Sequence, residues 1–82
     1  MPKETESFTT SQLGVVAWFI YNDLHPLEMF KEGSAIVWRF PGGPETQRLH
    51  RLYTSEDASV NPRIYNKVFS QTKMEMLAMK SK

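Results

Sequence analysis

The chain has no cysteine among its 82 residues, so it can form no disulfide or thiolate-held metal site, and the composition suits a reducing cytoplasm. Histidine is almost as scarce. His25 and His50 are the only two, and neither shares a helical i, i+4 spacing with another ligand around a glutamate, so the sequence offers no metal centre. Long apolar runs are missing too. The longest, Leu13 to Tyr21, is less than half of the roughly 20 residues that span a bilayer. The opening Met1-Pro2-Lys3-Glu4-Thr5-Glu6 lacks the basic-then-apolar order of a signal peptide. Together these absences predict a soluble, cytoplasmic protein. A large excess of one charge is also absent: the net charge is +1. It is unevenly spread, with residues 1–32 carrying two cations against five acids and residues 33–82 eight against four. Such a mildly basic second half can steer an acidic partner, but nucleic-acid domains are usually more densely basic.

What is present is enough for one small globular domain: 40% hydrophobic and 12% aromatic residues, well above the composition of a disordered chain. The expected organisation is a flexible leader over 1–7, a single domain over 8–79 and a frayed tail over 80–82. A domain of this size buries only somewhat more than about 60% of its unfolded surface, which makes association with a partner or a second copy relevant from the outset.

Two capping signals frame the chain. In Phe8-Thr9-Thr10-Ser11-Gln12-Leu13, Thr9 as N-cap and Gln12 as its reciprocal partner form a capping box, with Phe8 stapled to Leu13. In Val60-Asn61-Pro62-Arg63-Ile64-Tyr65, Asn61 caps, Pro62 supplies a preset φ where its missing N–H is harmless, and Val60 staples to Tyr65. The first helix is expected from about Thr10 to Asn22, with Leu13, Val16, Ala17, Ile20 and Leu24 on one face and Val15, Trp18 and Phe19 widening it. Val15 to Tyr21 is also rich in β-formers, but the cap and the spacing favour helix. His25-Pro26 takes the chain out of helical geometry. Leu27 to Phe30 and Ala35 to Phe40 then flank the polar turn Lys31-Glu32-Gly33-Ser34 as a hairpin, with Ile36, Trp38 and Phe40 on one face and Ala35, Val37 and Arg39 on the other. Pro41-Gly42-Gly43-Pro44 breaks the strand, and Pro44 opens a helix to about Thr54, with Leu49, Leu52 and Tyr53 inward and Arg48 and Arg51 outward. A long helix from Pro62 to about Met79 lines up Tyr65, Val68, Phe69, Thr72, Met76 and Met79, with Ile64 beside them. The fold class is therefore α+β, ordered α-β-β-α-α, and it admits a short extra strand ending at Phe8.

The pattern Phe8-x-Thr10, an apolar helix ending near His25, Leu27-Glu28, Val37-Trp38-Arg39-Phe40, Leu49 to Tyr53 and Val60-Asn61-Pro62-Arg63-x-Tyr65 resembles a family of small uncharacterised domains of prokaryotes and their phages. The resemblance runs from about Phe8 to Phe69. It implies a prokaryotic or phage-encoded accessory protein and no catalytic residue. The methionine-rich end from Met74 onward lies outside the pattern.

No arrangement of residues suggests catalysis. Glu56-Asp57 sits in a serine-rich loop with no sign of a desolvated pocket, and no serine has the context of an activated nucleophile. Pro41-Gly42-Gly43-Pro44 before a helix only superficially suggests a phosphate cradle: two prolines remove backbone donors and no Gly-Lys-Ser/Thr follows. The expectation is a non-enzyme without cofactor, metal or small-molecule substrate, and binding is the class that remains. Its first form is protein–protein contact, including homodimerisation through the first and last helices, with Trp18, Tyr21, Met74, Met76 and Met79 as partner-binding residues, because methionines and surplus aromatics suit adaptable docking surfaces. Its alternative is a nucleic-acid-binding regulator using Trp38 as a stacking platform with Arg39, Arg48, Arg51, Arg63 and Lys67 on phosphates. Against that alternative, Trp38 is in register with Ile36 and Phe40 and reads better as core, because a domain this small needs both rings inside.

Overall fold

A computed structural model describes residues 7–81. Their order is β1 (Ser7–Thr10), α1 (Leu13–Tyr21), β2 (Glu28–Glu32), β3 (Ala35–Pro41), α2 (Pro44–Thr54) and α3 (Pro62–Lys80). This is the expected α+β class with the extra N-terminal strand present. The three strands form an antiparallel sheet in the order β1-β3-β2, so among the described residues β1 and β2 are its edges. Residues 1–6 of the expected leader lie outside the described residues; Ser7 opens β1. At the other end Lys80 closes α3 and Ser81 is its C-cap, while Lys82 lies outside the described residues.

The start of α1 corrects the capping-box expectation. Thr9 lies opposite Arg39, and Thr10 opposite Trp38, in the β1–β3 ladder. The helix begins three residues later with Gln12 at the N-cap, which has no side-chain capping bond. Thr10 Oγ1 instead accepts from the Gln12 N–H at 3.1 Å. The reason is competition. A single side-chain cap stabilises by about 1 kcal/mol, whereas extending two β-branched threonines along β3 satisfies backbone groups that the central strand would otherwise leave unpaired. Phe8 packs edge-on against Phe19, with ring centroids 5.5 Å apart, and against His50 at 4.8 Å.

The second signal holds. Asn61 Oδ1 accepts from the Arg63 and Ile64 N–H groups at 3.0 and 3.3 Å, and Pro62 occupies the first turn. The hairpin turn is tighter than expected. Lys31 and Glu32 belong to β2 and only Gly33-Ser34 turn the chain. Gly33 has φ +63° and Ser34 has no positive φ, the pattern of a type II′ turn, in which glycine takes the first central position without steric cost.

The helices pack on one face of the sheet. Phe8, Met29, Ile36, Trp38 and Phe40 point into a core shared with α1, α2 and α3. On the opposite face Phe30 and Val37 form a cross-strand pair beside the Glu28–Arg39 ion pair. α1 packs against both α2 and α3, and its burial runs all the way round: Val15, Val16, Ala17, Trp18 and Phe19 are consecutive buried residues. A helix enclosed on every side needs no polar stripe. Gly14 leaves room for the Tyr53 side chain of α2, because a Cβ there would lie 2.4 Å from its hydroxyl oxygen.

Candidate functional site

The proposed partner-binding residues separate into an inner and an outer group. Trp18 is 4% exposed, and its indole Nε1–H donates to the Leu49 carbonyl of α2 at 2.8 Å. Its bulk and its one polar atom are both used within the chain, so it is corrected from surface to core. Tyr21 is half-buried, stacked on Trp18 with an interplanar angle of 14°. Its hydroxyl oxygen accepts from the Asn61 N–H at 2.8 Å, which ties the end of α1 to the start of α3. The middle of α1, Val15 to Phe19, is therefore covered by the chain itself.

α3 behaves differently along its length. Tyr65, Phe69, Thr72 and Met76 succeed one another at i+4, i+3 and i+4 and are buried or half-buried, with Val68 and Met79 beside them. Thr72 is buried because its hydroxyl donates to the Val68 carbonyl at 2.9 Å, so the oxygen enters the interface without losing its partner. Met76 and Met79 pack against the core. Met74 does not: it is 68% exposed, and Leu77, three residues on, is 50% exposed. Of the five residues, Met74 alone is mostly exposed, and Leu77 accompanies it.

The nucleic-acid set is dispersed. Trp38 is 1% exposed at the centre of the sheet, so it cannot stack on a base, which corrects its assignment as a platform. Arg39 is engaged by Glu28 across the hairpin, and Arg48 by Glu45 at 2.8 Å along α2. Arg51 on α2 and Arg63 and Lys67 on α3 are exposed and make no ion pair among the described residues. The set is thus spread over β3, α2 and α3, with its one aromatic ring in the core.

No family model, curated protein or solved structure matches the chain. What its surface can do follows from its own geometry.

That geometry includes a cleft between the end of α1 and the middle of α3, where Ile20, His25, Pro26, Gln71 and Glu75 are among the lining residues. His25 Nε2 lies 3.0 Å from Asp23 Oδ1, so its ring is turned toward its own loop. Among the described residues no group of three or more histidines and carboxylates is placed to hold a metal ion, and no helix is long and apolar enough to cross a membrane.

The electrostatic perturbation at Tyr65 is structural. Tyr65 donates its O–H to the Gly14 carbonyl at 3.0 Å, and its pKa is raised by burial and, secondarily, by Tyr53. An unfolded tyrosine titrates near 10. The folded phenol holds its proton above that, so the stability it contributes is complete below about pH 10 and is lost as pH rises through the folded pKa. Tyr65→Phe is expected to cost about 0.5–1.5 kcal/mol at neutral pH by deleting the hydrogen bond and to flatten the alkaline loss of stability. Urea midpoints measured from pH 7 to 12 check both. Parallel alkaline limbs in the two proteins would refute the assignment.

Proposed function

We propose that this chain is a small, non-enzymatic accessory protein of prokaryotic or phage origin that works in the cytoplasm by protein–protein contact, and that the outer side of α3 is its contact surface. The carrying observation is the adjacency of Met74 and Leu77, 68% and 50% exposed, on the side of the helix turned away from the core. Two large apolar side chains one helical turn apart gain little from water, and methionine adapts its shape to whatever covers it. The origin rests on the resemblance carried by Phe8 to Phe69. The nucleic-acid alternative is the weaker reading, since Trp38 lies in the core and two of its five arginines and lysines are already paired with glutamates.

The test is site-specific photocrosslinking in a bacterial host. A benzophenone amino acid in place of Met74 is expected to give a discrete covalent adduct with a protein, which is either a second copy or another chain, and the same group in place of exposed Thr54 on α2 is expected to give none. Absence of a protein adduct from position 74, or a nuclease-sensitive adduct there, would overturn the reading.

A further inference from the structure

The outer side of α3 has a composition that goes beyond exposed methionine. Arg63, Lys67, Ser70, Met74, Leu77 and Ser81 follow at i+4, i+3, i+4, i+3 and i+4 and are all exposed, so with 3.6 residues per turn they form one continuous stripe. It lies opposite the inward row Tyr65, Phe69, Thr72 and Met76. Lys73 and Lys80, also exposed, flank Leu77 at i−4 and i+3. The helix has a single carboxylate, Glu75, and it lines the cleft on the other flank with His25 and Pro26. The outward half of α3 thus carries four cations, no acid, and an apolar centre.

Resting on the protein-contact reading, we infer that this stripe receives an acidic amphipathic helix of a partner protein, whose apolar side chains cover Met74 and Leu77 and whose carboxylates meet Lys67, Lys73 and Lys80. Charge decides between occupants. A second copy packed face to face would bring Lys73 and Lys80 against their own equivalents around the apolar centre, and like charges across an interface oppose association. A phosphate backbone would satisfy the cations and leave Met74 and Leu77 against charged oxygens. A lipid surface binds amphipathic helices in proportion to the apolar area they insert, and the broad apolar face of α3 is already turned into the core. A helix with acids flanking an apolar row satisfies both parts of the stripe, by the helix-in-groove logic of i, i+3, i+4 anchors.

The test titrates the isotopically labelled full chain with a synthetic helical peptide bearing leucines on one face and glutamates on its flanks. Amide shifts are expected to concentrate between Ser70 and Ser81, with binding that weakens by roughly tenfold or more at high salt, as charge pairs are screened. The same peptide with every glutamate replaced by lysine is expected not to bind. The double variant Lys73→Glu/Lys80→Glu should lose the acidic peptide and gain the basic one, while Met74→Ser/Leu77→Ser should weaken binding with no change in circular dichroism. Equal binding of both peptides, shifts elsewhere on the chain, tighter binding of duplex DNA or anionic phosphatidylserine vesicles at this stripe, or a dimer in sedimentation whose interface protects Met74 would each overturn the inference. The crosslinking result is independent: a protein adduct at position 74 combined with indifference to peptide charge leaves protein contact standing and removes only the acidic helix.

Discussion

Phe19→Ala is expected to remove most of the margin by which this domain stays folded. Phe19 is fully buried, and its ring is the hinge of an aromatic array, edge-on to Phe8 at 5.5 Å and to Phe40 at 4.8 Å with an interplanar angle of 86°. It therefore joins α1 to an edge strand and to the central strand at once. Truncating a buried phenylalanine costs about 3–5 kcal/mol, the sum of lost transfer energy and an unfilled cavity. At roughly 0.05–0.15 kcal/mol per residue, a domain of this length holds only about 4–12 kcal/mol. Each kcal/mol lowers the melting temperature of so small a domain by about 4–8 °C, so thermal unfolding should fall by 12 °C or more (about 3 kcal/mol at the lower slope), or the variant should be unfolded as purified. A drop of only a few degrees would mean that the array does not hold the sheet to α1.

Trp38→Ala is the second large effect, and it separates two roles for the same ring. Trp38 is 1% exposed on β3, opposite Thr10 of β1 and Met29 of β2, so its loss opens a cavity beneath both strand pairings. The expected cost is about 3–5 kcal/mol, read by chemical denaturation. A tryptophan presented to solvent as a base-stacking platform would cost less than about 0.5 kcal/mol on removal, and a value that small would return the residue to the surface. Trp38→Phe, which keeps most of the volume, should recover much of the loss.

Local signals were legible where the physics is local. Pro44 after two glycines, followed by a helical run, defines α2 as observed, and Asn61-Pro62 announces α3 because a cap and a preset φ act within one turn. Val68, Phe69, Thr72, Met76 and Met79 also reveal their inward face by spacing alone. The first capping box misled because the same threonines serve a strand equally well, and the deciding partner, β3, lies some thirty residues away. Trp18 shows the same limit at the candidate site. Its neighbours in sequence say only that the helix is apolar on many sides; that the indole is closed off depends on the carbonyl of Leu49 arriving from α2. The exposed pair on α3 was half visible, since Met74 and Leu77 belong to the surplus apolar surface of the last helix, but that they stay exposed while Met76 and Met79 pack against the core depends on tertiary contacts.

The two edges of the sheet bear on how this protein can assemble. β1 has four residues, and β2 carries Glu28, Lys31 and Glu32 among its five. Short strands and charged side chains make poor templates for an added strand, and they are devices by which soluble sheets resist growing into larger ones. Among the described residues neither edge is therefore a ready template for an added strand, which leaves the contact proposed above to side chains of the helical layer, where recognition can be selective and reversible.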